Sequence, residues 1–190
     1  MSLKDGMLLY HGSYVGVDKI DLNKGAKSKD FGQGFYLTSN EQQAISFIAT
    51  SLLKAKANGD APEEQNYGYV TTFKYHADDS LDVYEFDTAN KEWLWFISQN
   101  RRRAYASVLK GKIDTKVFDA DVIIGKIAND TTNPVITTYL NGLFGDVESD
   151  MACEDAIKRL LPDRLEKQFC FVSEKSIARL EMVEVKRYGL

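Results

Sequence analysis

Asp30-Phe31-Gly32-Gln33-Gly34-Phe35-Tyr36-Leu37-Thr38 is the stretch on which the fold turns. Two glycines ahead of an apolar run raise the question of a phosphate loop. A dinucleotide fingerprint needs G-x-G-x-x-G opening straight into a helix, because the helix N-terminus meets the pyrophosphate. Gly32 and Gly34 match its first two positions, but Leu37 stands where the third glycine belongs. Gly34 to Thr38 reads as a strand, so no helix follows the turn. The other common cradle, G-x-x-x-x-G-K-[ST], occurs nowhere in the chain. Both common phosphate loops are therefore excluded. Successive strand side chains point to opposite faces. Phe35 and Leu37 share one face, and Gly34, Tyr36 and Thr38 share the other. A ring flanked by small residues either packs beneath a helix or leaves room for a flat ligand ring. The strand alone leaves both open, with packing the commoner.

Upstream, Met7 to Ser13 (MLLYHGS) reads as a first strand ending at Gly12. His11 is either a structural histidine or a ligand contact beside a glycine that lets backbone approach closely. Asp18 to Lys29 reads as a polar loop. Downstream, Ser39 fits a helix N-cap with Gln42 three residues on. Ala44, Phe47, Ile48, Ser51, Leu52 and Ala55 recur at helical spacing, and Asn58-Gly59 stops the helix.

Tyr67 to His76 alternates like a strand, with Leu81 to Phe86 as its expected partner. Glu92 to Leu109 reads as a helix with Trp93, Phe96 and Ile97 inward, carrying the basic run Arg101 to Arg103. Asp121 to Ile127 is an apolar, β-branched strand. Asn133-Pro134 breaks the chain ahead of two short helices, Val135 to Leu143 and Asp150 to Leu161. Strands at Glu166 to Val172 and Leu180 to Arg187 complete the pattern. The order is not a regular βαβ alternation, so an α+β fold in one domain, residues 1–190, is expected.

The bulk numbers narrow the function classes. The chain has 190 residues, 44% hydrophobic and 27% charged, which is ordinary for a globular protein with a core of its own. Its net charge of −4 lacks the basic excess of a general nucleic-acid binder. Two His and two Cys give no metal-ligand spacing and no disulfide framework, so no metal is expected. No apolar run approaches the ~20 residues of a membrane helix, and the start lacks a secretory pattern. A cytoplasmic protein without a membrane partner is expected.

Y-H-G-S at Tyr10 to Ser13, followed by D-F-G-Q-G-F-Y-L-T, resembles the first two signature elements of the ADP-ribosyltransferase superfamily in its His–Tyr branch. The chain is more closely similar to an uncharacterised bacterial family placed in that superfamily. The likeness continues through Gln43-Ala44, E-W-L-W-F-I-S-Q-N-R at Glu92 to Arg101, D-V-I-I-G-K-I-A-N-D at Asp121 to Asp130, and Q-F-C-F-V-S-E-K at Gln168 to Lys175. The resemblance implies a split β-sandwich with peripheral helices that grips NAD, as substrate, in a cleft. It implies that His11 hydrogen-bonds a ribose hydroxyl, that Gly12 backbone holds the carboxamide, and that Tyr36 stacks on nicotinamide. The glycosidic bond to nicotinamide then breaks through a cation-like sugar, and ADP-ribose passes to a protein or other macromolecular acceptor. A bacterial toxin held by a small inhibitory partner protein is the setting such a resemblance suggests.

The third signature position is usually Glu in the wider superfamily, and the matching strand here carries Gln168, a residue that looks usual for the narrower family. An amide can still accept a hydroxyl hydrogen bond, but it brings no negative charge to a developing cation. Glu166 and Glu174 are nearby carboxylates. Ser13 and Thr38 are candidate donors to ligand oxygen, and Gly34 shapes the approach. Asn100 and Arg101 close the apolar part of their helix. Arg101 is either a bidentate partner for pyrophosphate or a solvated helix-end cation. Asp30 is expected to cap the glycine turn, Asp130 to cap a loop, and Cys170 to lie in the core.

Overall fold

The computed structural model describes residues 3–109, 111–128, 132–160 and 166–190. The protein has a mixed α+β fold built on one seven-stranded sheet. The chain opens with β1 (Leu8–Ser13) and β2 (Phe35–Thr38), then α1 (Glu41–Asn58) and β3 (Tyr67–Tyr75). It continues with β4 (Val83–Glu85), α2 (Lys91–Arg101), the single turns α3 (Ala106–Leu109) and α4 (Lys116–Asp119), and β5 (Val122–Lys126). Helices α5 (Thr132–Leu140) and α6 (Asp150–Leu160), strand β6 (Lys167–Phe171), turn α7 (Glu174–Ile177) and strand β7 (Leu180–Gly189) follow. The strand order is β4-β5-β6-β2-β1-β3-β7.

The sheet is strong within each half and narrow in the middle. β1 pairs with β3 over six residues, and β2 with β6 over four. Between β1 and β2 the register holds at one residue pair only, Tyr10 opposite Thr38. The seven strands form one sheet whose pairing is thinnest at this seam, between a β4-β5-β6-β2 half and a β1-β3-β7 half. One face of the first half is covered by α2, α5 and α6, with Trp93, Ile97, Tyr139 and Leu160 fully buried against Ile123 and Cys170. Helix α1 packs on Tyr10 and Val70 in the second half through Ala44 and Ile48. On the opposite face Leu9, Leu37, Phe73, Phe169 and Phe171 form a second cluster that crosses the seam. Alternation is obeyed: residues one apart on β2 and β6 enter different clusters.

Several expectations need correction. The α1 N-cap is Asn40, whose side chain accepts from Gln43 N, and not Ser39. Asn40 is the better Asx cap, and Ser39 is left to turn the chain out of β2. Gly59 ends the helix at φ 77°, a left-handed cap that glycine takes without strain. β4 does not pair with β3. It lies at the far edge, parallel to β5. The Glu92 to Leu109 helix ends at Arg101, because Arg102 leaves helical geometry at φ −133° and ψ 71°. Asp130 lies outside the described residues.

Candidate functional site

The strands that carry His11, Tyr36 and Gln168 are neighbours, in the order β1-β2-β6. The site grows from this adjacency and from the seam between the first two. By alternation His11 shares the Leu9 face, and Tyr36 shares the face of Thr38 and Gln168. The structure does not place the two rings on one flat face. The link between the two residues runs from side chain to backbone: His11 Nδ1 lies 2.9 Å from the Tyr36 carbonyl oxygen. A carbonyl only accepts, so Nδ1 carries the proton and Nε2 is left as an acceptor. Burial first, then the positive charge of Lys29, outweigh that bond and bring the His11 pKa down to about 4. The ring is thus neutral near pH 7. Phe35 stacks on it with centroids 4.7 Å apart.

Tyr36 is held at its far end. Its hydroxyl donates to Gly32 O at 2.7 Å and accepts from Phe31 N at 3.0 Å, closing the glycine turn on itself. Burial keeps its proton on, well above the ordinary phenol range. The Lys29 ammonium lies 4.7 Å from the ring centroid, over its face. Burial, and then the cations Lys54 and Arg101, lower the Lys29 pKa. The face expected to receive a flat ring is therefore covered by the Lys29 ammonium, which its surroundings make easier to deprotonate. Cys170, opposite Tyr36, is pushed up to about 12 by burial and is an inert core thiol.

The glycines serve close packing. A Cβ on Gly12 would sit 1.8 Å from the Ala44 carbonyl oxygen, so α1 can lie on β1 only over glycine. A Cβ on Gly34 would meet Cys170 Sγ at 2.5 Å. Only Gly32, at φ 80°, is a conformational glycine in this turn.

The remaining predicted residues separate into two groups. Thr38 is buried and donates to Gln43 Oε1 at 2.6 Å while accepting from Asn40 N, so it anchors the start of α1. Ser13 is buried with its hydroxyl 3.5 Å from that of Ser51 on α1. Both are structural in this arrangement. Asn100, Arg101 and Gln168, by contrast, converge on Asp30. Arg101 brings Nε and Nη2 to Asp30 Oδ1 at 2.7 and 2.6 Å. Gln168 Nε2 and Ala128 N donate to Asp30 Oδ2 at 3.1 and 3.2 Å. Asn100 Nδ2 donates to the Asp30 carbonyl oxygen at 3.0 Å.

Asp30, read from sequence as a turn cap, is the hub of a buried network. Nothing in the spacing of Asp30, Arg101 and Gln168 announces this. The one available signal is a carboxylate at the head of an otherwise apolar turn. Glu166 is exposed and reaches Asn40, and Glu174 is exposed in α7, so neither enters the network. Among the described residues no group of His, Cys, Asp and Glu has metal-holding geometry, and no helix is long and apolar enough to cross a membrane.

The arrangement sets a neutral imidazole, a tyrosine face covered by Lys29 and the Asp30–Arg101–Gln168 network on and beside three neighbouring strands. Residues 7–182 match the model of a family described as a protein of unknown function, DUF3990. No curated protein matches the chain.

Proposed function

The chain belongs to the DUF3990 family, and on the ground of its own motifs and their placement we propose that it is an NAD-dependent ADP-ribosyltransferase with an ADP-ribosyltransferase-like split sandwich. The observation that carries the proposal is His11. It is a neutral imidazole with Nδ1 committed to the Tyr36 carbonyl and, among the described residues, no partner on Nε2, beside the seam where β1 and β2 pair at one position. A free Nε2 is an acceptor for a ribose hydroxyl. The single-pair seam between β1 and β2 is where this reading places the cleft.

In this reading nicotinamide, a cationic ring while bound in NAD, takes the Tyr36 face that Lys29 covers in the free protein. Exchange of one cation for another on that face is inexpensive, since a cation–π contact contributes about 0.5–2 kcal/mol. The displaced lysine favours the pyrophosphate. The bond from the ribose carbon to the nicotinamide nitrogen breaks, the electron pair leaves with nicotinamide, and an acceptor nucleophile closes on the cation-like carbon. Gln168 offers an oxygen to a ribose hydroxyl but no charge. Loss of one such electrostatic contact lowers rates by about 10²–10³.

That uncharged amide also supports a second reading, a non-catalytic NAD or ADP-ribose-binding module. Hydrolysis of NAD with water as acceptor uses the same groups. A macromolecular acceptor, a role as a bacterial toxin and a small inhibitory partner protein belong to the proposal. Calorimetric titration with NAD of wild type, His11→Ala and Tyr36→Ala tests the site. Each variant is expected to bind at least about tenfold more weakly, the loss of one to two good contacts. Wild-type affinity in both variants overturns it. Labelled NAD with a lysate separates the readings: transfer to acceptor, nicotinamide release alone, or neither.

A further inference from the structure

Gln168 departs from the carboxylate expected at its position, and the residue facing it explains why. Asp30 is 3% exposed and Gln168 8% exposed. Their side chains meet at 3.1 Å. An ionised carboxylate only accepts, so the amide must turn its nitrogen to Asp30 and its oxygen away. Among the described residues nothing donates to Gln168 Oε1, yet it is not among the fully occluded, unsatisfied atoms. All the acceptor positions that Asp30 uses are engaged, by Arg101, Gln168 and the Ala128 amide. A glutamate at 168 would place a second carboxylate about 3 Å from the first, where two like charges cannot both stay ionised.

We propose that Asp30 is a positioning residue that acts through Gln168. It locks the amide with Oε1 outward as the acceptor for a ligand hydroxyl, and it makes glutamine, not glutamate, the competent residue at 168. The role of Oε1 rests on the NAD reading above. The lock itself does not. Arg101 neutralises the Asp30 charge, so what reaches Oε1 is orientation and polarisation along the hydrogen-bond chain, not a formal charge.

A charge swap tests the lock. Wild type, Asp30→Asn, Gln168→Glu and the double variant are compared by thermal unfolding between pH 5 and 8 and by NAD calorimetry. Gln168→Glu alone is expected to unfold at lower temperature as pH rises, because the carboxyl pair must lose its shared proton. It is also expected to bind NAD at least about tenfold more weakly. The double variant is expected to lose that pH dependence and recover part of the affinity. Recovery is partial because the Ala128 amide loses an acceptor.

A Gln168→Glu protein that unfolds like wild type across the pH range overturns the proposal. So does a Gln168→Glu penalty of the same size with Asn at 30 as with Asp. Wild type that binds no NAD overturns the ligand reading, and with it the role of Oε1, while the unfolding cycle still decides the lock. Wild type that binds NAD with additive variants overturns the lock and leaves the ligand reading standing.

Discussion

At His11 the decisive quantity is the protonation state. Its folded pKa of about 4 lies below the ordinary 6.5, so the unfolded chain binds the extra proton between those values. Stability contributed by the neutral ring is present above about pH 6.5 and is lost as pH falls towards 4. Wild type is therefore expected to lose more thermal stability between pH 7 and 4.5 than His11→Gln, which has no such proton. The comparison cancels the acid loss common to both proteins, from carboxylates such as Asp121 that are held below their usual range. Equal losses in the two melting series would refute the neutral state.

Asp30 gives a second expectation. Removing the carboxylate leaves a part-buried Arg101 and two other donors, Gln168 Nε2 and Ala128 N, without their acceptor. Asp30→Ala should lower unfolding free energy by about 3 kcal/mol in a denaturant titration. His11, Tyr36 and Gln168 stand out through the family resemblance rather than through local periodicity, and the structure sets their strands side by side. Asp30 was not legible as a hub. Its partner Arg101 is 71 positions away and Gln168 is 138, and no local periodicity connects them.

Elements were legible wherever their periodicity was local. Helix α1 buries Ala44, Ile48, Leu52 and Ala55, the stripe its spacing implies, and Phe47 is left half exposed at its margin. β5 is buried along Val122 to Ile124, as its β-branched run implies. What spacing could not show is the partner of each strand. β4 is adjacent in sequence to β3, yet it pairs in parallel with β5, a choice made by packing on Phe86 and Ile123 beneath α2. The tightest joint between elements is α1 on β1 at Gly12. Gly12→Ala forces a methyl into the Ala44 carbonyl and must push the helix off the strand. A loss of about 2–3 kcal/mol is expected, readable by denaturant unfolding. Gly59→Ala, which strains only the helix cap, should cost about 1 kcal/mol. A Gly12→Ala protein as stable as the Gly59 variant would show that α1 does not seat there.

For the whole molecule, the sheet order follows from two well-paired halves joined at Tyr10 and Thr38. Hydrogen exchange should mirror this. Amides paired between β1 and β3 and between β5 and β6 should be the slowest. Outward amides of β7, at the sheet edge with Val183 and Val185 exposed, should be among the fastest. Uniform protection across β7 would require the edge to be covered by another chain. This global arrangement was the least legible part of the sequence, because a seam is defined by missing pairs and no residue type marks it.

Helix α2 has an optical consequence. It carries both tryptophans of the chain, Trp93 fully buried with its indole N–H on the Lys126 carbonyl, and Trp95 half buried on the Tyr139 hydroxyl. The same helix ends in Asn100 and Arg101, which grip the Asp30 turn. All the indole fluorescence of the protein thus comes from the element that clamps the candidate site. A ligand that loosens or tightens the clamp should shift the emission of the unlabelled protein, giving a direct readout of occupancy in a cuvette.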